Sequence, residues 1–450
     1  MSEVLIKSAE RAVSLRLLRE SDWAAFAKKA DEDVRWLAEQ AGFKAGRAQV
    51  LVLPGREVLF GLGSGEDLTV FRAAPGKLPA GDYRIKGKAD LEKAALNWAL
   101  GAYRFDRYKK ADSAFARLVV GKAVDIDQIT AISHACALAR DMVNTPANDL
   151  GPLQIETIAR EIAEKFGASF SVITGDALLE ENYPAIHAVG RAAVAARAPR
   201  MIELAWGKKG PLVALVGKGV VFDTGGLDLK PSSGMRLMKK DMGGAAHALA
   251  LARMIMAAKL KVRLAVLVPV VENAVSGDAM RPGDVLSSRK GLTIEVGNTD
   301  AEGRLILADA LTRAEELKPD LTIDMATLTG AARAALGPQV IPFYTDDDVL
   351  AGELAAAAVA EADPLWRMPL WAGYEEALDS EIADIANDPA AWAQAGSVTA
   401  ALFLKRFAPK GSWVHFDIFA WNSKARPGYP SGGEAQAIRA LFAVLKARHS

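Results

Sequence analysis

The sequence predicts an α/β protein, with a smaller N-terminal α/β domain and a larger domain on a mixed, mainly parallel sheet flanked by helices. From Leu212 onward, uninterrupted apolar runs of strand length alternate with segments of helical periodicity. That is the pattern of strands covered on both faces by helices. The chain has 450 residues, more than one ordinary hydrophobic core supports. With 51% hydrophobic and 24% charged residues, it reads as globular.

In the N-terminal part, Ala48–Leu53 reads as a buried strand that stops at the Pro54-Gly55 turn signal. Val58–Gly63 is a second strand candidate, and residues 90–104 carry apolar groups at helical spacing. No catalytic constellation is visible there. Residues 124–142 read as one helix, ending in the dense turn signal Asn144-Thr145-Pro146-Ala147-Asn148-Asp149. The expected organisation is therefore a domain over 1–122, a connecting helix over 123–142 and the larger domain over 143–450. In the latter, strands are expected at Leu212–Val216, Leu264–Val271, Leu292–Val296 and Leu321–Ala326, and helices at Gly243–Lys259 and Arg304–Leu317.

Charge and cysteine content narrow the function. Lys+Arg and Asp+Glu balance at 55 each, so no polybasic nucleic-acid binder is indicated. A single cysteine, Cys136, excludes an intrachain disulfide framework and Cys-rich zinc sites. The five histidines form no H-E-x-x-H pattern. Any metal must then be held mainly by carboxylates. No signal peptide and no membrane-spanning run are apparent, so a cytoplasmic protein is expected.

Three polar clusters follow predicted strands, where active sites of open α/β sheets gather. In the first, Lys218 and Asp223 lie among glycines in Gly217–Gly226. A phosphate loop is the rival there, but its Gly to Gly-Lys spacing does not match. In the second, Lys230-Pro231 leads to Asp241 at the start of a helix, where an N-capping aspartate is common. In the third, Asp300, Glu302 and Arg304 are spaced by two, so on extended backbone they would face one cleft. Acidic groups at a helix N-terminus would read the same way. Four carboxylates in one cleft repel each other unless cations neutralise them. Two divalent ions sharing carboxylates would do so, with Mn²⁺ or Mg²⁺ suited to the oxygen-rich set and Zn²⁺ also compatible.

These blocks resemble the leucyl aminopeptidase (cytosol aminopeptidase) family. Asn298-Thr299-Asp300-Ala301-Glu302-Gly303-Arg304-Leu305 is similar to the family signature. Val216–Gly219, Phe222–Gly226, Lys230-Pro231, Asp241–Ala245, Arg281–Val285 and Thr327–Ala331 follow the family's order, as does the earlier Asn144–Asn148. The resemblance covers roughly residues 124–405. It implies a zinc-exopeptidase-like fold and a two-metal enzyme that releases N-terminal residues, leucine or other apolar ones, from peptides. Lys218, Asp223, Asp241, Asp300 and Glu302 would be metal ligands, with Asp223 and Glu302 shared by both ions. Lys218 would bind as a neutral amine and so needs a depressed pKa. Lys230 would stay charged and stabilise the oxyanion. Arg304 would hold bicarbonate as general base. Asn298, Met238, Thr327, Leu328 and Gly330 would line the substrate pocket. A homohexamer is also implied.

The chain departs from the family near its end. The family usually reads His-x-Asp-Ile-Ala-Gly, whereas here the run is His415-Phe416-Asp417-Ile418-Phe419-Ala420-Trp421. Bulky Phe419 and Trp421 put a strict leucine preference in question, while His415 and Asp417 read as structural. Two other readings stand beside the aminopeptidase: a DNA-binding regulator, since some family members bind DNA, and a non-catalytic structural homologue.

Overall fold

The computed structural model describes residues 3–64, 67–110, 113–389 and 394–450. Contacts divide the chain into two compact units, Met1–Ala137 with Asn422–Ser431, and Leu138–Trp421 with Gly432–Ser450. The division falls inside one long helix, Ile126–Asn144. The segment 422–431, which the sequence reading ran on within 143–450, groups with the first unit. There the Arg72 guanidinium stacks 4.5 Å from the Tyr429 ring centroid.

The first unit is built on a six-stranded sheet in the order Leu5–Ile6, Arg117–Val119, Asp82–Lys86, Val13–Leu18, Glu57–Gly61, Val50–Val52. Neighbours are parallel except the last pair. Alternation along the strands feeds two cores. Leu15, Val58, Phe60 and Leu118 pack with Trp98 of the helix Leu91–Gly101. Leu18, Leu51 and Leu59 pack with Val34 and Ala38 of the helix Glu32–Gln40. One expectation is corrected. The run at 48–53 forms the sheet's edge strand Val50–Val52, with Val52 43% exposed. It turns at Pro54-Gly55 and pairs only with Glu57–Gly61, so one flank and part of one face stay open.

The second unit carries a nine-stranded sheet. Eight strands run in the order Leu365–Arg367, Ile341–Tyr344, Ser412–Asp417, Leu321–Ala326, Leu212–Gly217, Arg263–Asn273, Arg200–Trp206, Ser169–Thr174. The ninth, Gly219–Asp223, pairs in parallel with the far half of Arg263–Asn273. The central strands are parallel, and antiparallel pairs lie toward the two edges. Leu212–Gly217 and Leu321–Ala326 are buried at every residue, as their apolar runs predict.

The helix Gly243–Ala257 is buried along nearly its whole length and packs on these central strands. Glu302–Leu317 packs in a second core with Leu305, Ile306, Leu311 and Phe403. The third expected strand is real but lies elsewhere. Thr293–Glu295 belongs to a separate three-stranded sheet with Val285–Ser287 and Ile385–Ala386. Only Ile294 of its three residues is buried, which suits a one-sided strand rather than the middle of a covered sheet. No helix among the described residues is long and apolar enough to cross a membrane.

Candidate metal centre and substrate pocket

The site grows from a break in the central sheet. Leu212–Val216 pairs with Arg263–Leu267, and Gly219–Asp223 pairs with Val270–Asn273. Lys218 falls between the two runs, near Pro269, which has no N–H to offer a ladder. Its backbone is satisfied elsewhere: Lys218 N donates to Met325 O at 3.0 Å, and Ala245 N donates to Lys218 O at 2.7 Å. The side chain is buried, with Nζ 2.7 Å from Asp241 Oδ2, 2.9 Å from Glu302 Oε1 and 3.0 Å from the Thr327 carbonyl.

Asp223 ends the next strand. Its Oδ1 accepts from Gly225 N at 2.9 Å and Asn273 Nδ2 at 2.8 Å, and its Oδ2 lies 2.9 Å from Lys230 Nζ. Lys230 also pairs with Asp300 Oδ1. Ligand atoms of Asp223, Asp300 and Glu302 all lie within 4.8 Å of one another. Six of the seven residues expected at the metal and catalytic positions are thus linked in one cluster; the seventh, Arg304, feels the Glu302 charge, and its NH1 donates to Asn387 O at 2.5 Å.

Two local expectations change. Asp241 does not cap the helix that follows, since the N-cap is Met242 and no side chain caps it. Thr327 Oγ1 instead holds Asp241 Oδ1 at 2.8 Å. Asp300, Glu302 and Arg304 do not share an extended backbone, because the helix begins at Glu302. Asp300 sits in the preceding turn, with its N–H held by Asn298 Oδ1 at 2.8 Å.

The electrostatics explain why the cluster calls for cations. Four carboxylates face two ammoniums in a mostly buried volume. Burial and the Asp223 charge push the Glu302 and Asp300 carboxyls well above their usual range. Burial also raises Asp241, but the Lys218 and Lys240 charges together with the Lys218 hydrogen bond outweigh it and hold that carboxyl low. Buried oxygens of Asp241, Asp300 and Glu302 make no hydrogen bond of good geometry. Among the described residues the two lysine ammoniums face all of these oxygens but Glu302 Oε2. Two cations against four carboxylates leave the cluster short of positive charge, which fits a divalent cation with several oxygen ligands. Burial disfavours the Lys218 and Lys230 ammoniums, yet the carboxylates prevail and hold both pKa values above the ordinary lysine range. For Lys230 this agrees with expectation. For Lys218 it is the reverse of the depression expected, because only the protein's own charges act on it; added dications would change the sign.

Several supporting residues lie outside the expected set. Asn273 clamps Asp223 and also donates to Thr299 O at 3.1 Å. Asn387 accepts from Gly297 N at 2.8 Å and donates to Asn298 O at 2.8 Å, fixing the signature loop. Asn273 closes a long apolar strand, a position that could have been flagged; Asn387 carries no sequence signal. Thr327, expected only as a pocket residue, holds both Asp241 and, through its carbonyl, Lys218.

Beside the cluster, Met238 is half-buried in the turn Met238–Lys240, Leu328 is half-buried, and Gly330 opens the helix Gly330–Leu336 at the surface. Asp417 shapes this edge by accepting from Leu328 N and Thr329 N, each at 3.1 Å, and from Thr329 Oγ1 at 2.6 Å. Phe419 is 9% exposed and lies beneath two cations. Lys240 Nζ is 5.3 Å and the Arg333 guanidinium 4.6 Å from its ring centroid.

His415 is structural, its Nδ1 2.5 Å from Asp324 Oδ1. Burial opposes its charge, but the Asp324 carboxylate outweighs burial and raises its pKa. Stability from a raised histidine is present below the unfolded pKa of about 6.5 and is lost as pH rises through the folded value. The melting temperature of the wild type should therefore exceed that of His415→Gln most below about pH 6.5, and the gap should narrow as the pH rises above that. A gap that widened with pH would refute the charged pair.

Comparisons with known proteins give the family. The model of the cytosol aminopeptidase family, catalytic domain, matches residues 137–442, and that of the M17 aminopeptidase N-terminal domain matches 13–121. A probable cytosol aminopeptidase of Sinorhizobium medicae is 40% identical over 408 residues, covering 86% of this chain and 80% of that protein. One from Agrobacterium fabrum is 37% identical, covering 98% and 97%. Among solved structures, the cytosol aminopeptidase of Coxiella burnetii superimposes with a TM-score of 0.93 at 41% identity, covering 99% of this chain and 100% of that one. The bottromycin maturation enzyme BotP in complex with Mn gives 0.85 at 34% identity, covering 97% and 99%.

The chain belongs to the cytosol aminopeptidase family. It is a metal-dependent aminopeptidase, a hydrolase of peptide bonds, and the relatives lend no support to a DNA-binding regulator or a non-catalytic homologue.

Proposed function

We propose that the chain releases the first residue of peptides with a free N-terminal amine, using two divalent ions held by Lys218, Asp223, Asp241, Asp300 and Glu302. The convergence of buried carboxylates that outnumber the two ammoniums between them, with Glu302 Oε2 left without a partner among the described residues, carries this reading. By family resemblance Asp223 and Glu302 would serve both ions, Lys218 and Asp241 one, and Asp300 the more exchangeable other. Mn²⁺ or Zn²⁺ suits the donor set of one amine and several carboxylates, with Mg²⁺ as a third option. The manganese bound to the similar BotP favours the first. Divalent ions bound there supply Lewis acidity toward the scissile carbonyl and a water made acidic enough to attack at neutral pH.

The protein's own groups do the rest. Lys230, kept charged by Asp223 and Asp300, donates to the carbonyl oxygen as negative charge develops on it. Arg304 would hold bicarbonate as general base; its Nε is buried and, among the described residues, has no partner, which leaves a donor for an anion. Asn298, Met238, Thr327, Leu328 and Gly330 border the space for the first residue. A homohexamer in the cytoplasm is part of this reading, on family resemblance.

Hydrolysis of a free-amino dipeptide panel beside its N-acetylated versions tests the proposal. Chelator-stripped protein should be inactive, and Mn²⁺ or Zn²⁺ should restore release of the first residue from free-amino peptides only. Equal turnover of acetylated peptides, or turnover indifferent to chelator, would overturn it.

A further inference from the structure

A buried lysine that pairs with no carboxylate among the described residues stands by the pocket. Lys240 is 2% exposed, yet among the described residues its ammonium makes no hydrogen bond or ion pair; the Asp241 and Asp417 charges act on it without pairing, and its Nζ stands over the face of Phe419. Burying a charge unpaired is costly, so proteins keep such groups where something else supplies the partner. Arg333 repeats the pattern on the same ring. Its NH1 donates to Thr329 O at 2.7 Å, and it pairs with no carboxylate among the described residues. A Cβ on Gly330 would lie 3.7 Å from Arg333 NH2, so this guanidinium borders a position that lines the pocket.

The nearest acidic groups are committed. Asp241 Oδ1 is held by Thr327, and its Oδ2 faces Lys218. Asp417 accepts from Leu328 N, Thr329 N, Thr329 Oγ1 and Ser397 Oγ. Neither supplies an ion pair to Lys240 or Arg333. Phe419 meanwhile stands where the family usually places a small residue, so it takes up space that a long apolar side chain would use. It offers its ring to both cations.

The geometry points to a first-residue pocket that selects a carboxylate side chain: Lys240 and Arg333, carried on Phe419, bind the acidic group of an N-terminal aspartate or glutamate. This rests on the aminopeptidase reading and replaces the apolar preference that family resemblance implies. Two charge-assisted contacts to a carboxylate satisfy both cations, whereas an amide isostere leaves their charge unmatched. A lysine or arginine side chain would be repelled.

The test uses the metal-loaded enzyme and aminoacyl p-nitroanilides, which lack a C-terminal carboxylate. Any response to acid therefore comes from the first side chain. Glu and Asp anilides should exceed Gln and Asn anilides in kcat/KM by about tenfold or more. Lys and Arg anilides should be the poorest substrates. In Lys240→Met and in Arg333→Met the acid-to-amide ratio should fall by about tenfold, mostly through KM, and in the double variant it should approach one. The ratio is taken within each variant, so a general loss of activity cancels. Leucine anilide turnover with an acid-to-amide ratio at or below one in the wild type would overturn the inference and leave the aminopeptidase reading standing. A high ratio untouched by either substitution would overturn the assignment to these two residues. No turnover of any anilide or free-amino peptide in any metal state would sink both.

Discussion

Glu302→Gln should lower kcat/KM by at least about 10²–10³-fold while the chain stays folded. Glu302 is fully buried, and neither of its oxygens has a hydrogen-bond partner of good geometry. No packing or capping requirement therefore explains a carboxylate there. Its Oε1 lies 2.9 Å from Lys218 Nζ, and its ligand atoms converge with those of Asp223 and Asp300. Glutamine preserves the shape but removes a carboxylate that a divalent ion would hold ionised. Its NH₂ can also face the Lys218 ammonium, donor against donor. Loss of metal should accompany loss of rate, read by metal analysis after gel filtration. A melting temperature near the wild type would confirm that the fold survives. Activity within about threefold of the wild type would remove Glu302 from the centre.

Gly244→Ala should be among the most damaging single-methyl changes in the chain. A Cβ there would sit 2.0 Å from Met325 O and 2.6 Å from Lys218 N. Both are backbone atoms, so no side chain can swing away to make room. The helix Gly243–Ala257 would have to lift from Leu321–Ala326 and from the sheet break that carries Lys218. Overpacking of this kind costs about 1–3 kcal/mol and occasionally more. At roughly 2–4 °C per kcal/mol, the melting temperature should fall by several degrees, with activity lost because Lys218 and Asp241 flank the displaced helix start. Gly277→Ala is the control, since a Cβ there meets nothing within 4 Å. Equal melting temperatures for the two variants would show that the helix can shift freely, contrary to the close-packed reading.

Much of this was legible without coordinates. Strands buried on both faces write themselves as unbroken apolar runs, so Leu212–Gly217 and Leu321–Ala326 fall where periodicity places them. Charged groups that survive at the ends of such runs need a reason, and that singled out Lys218, Asp223, Asp241, Asp300 and Glu302. Thr293–Glu295 was harder, because three residues carry too little pattern to tell a small side sheet from the main one. Asn387 could not be found at all. An asparagine after a two-residue strand is unremarkable until the fold brings it to Gly297 and Asn298, some ninety residues earlier.

What the sequence alone determined is the chemistry: residue types that repel each other unless cations join them, at spacings that place them on strand ends and turns. That follows from local rules, since alternation, helical period and glycine placement act over a few residues. Only the tertiary structure decided the pairings. It set Lys218 beside Asp241 and Glu302, gave Arg304 to Asn387, and, among the described residues, left Lys240 without a paired carboxylate over Phe419. Such pairings depend on close approach between distant segments, where a fraction of an ångström separates a contact from a clash, and short-range sequence pattern carries no record of it.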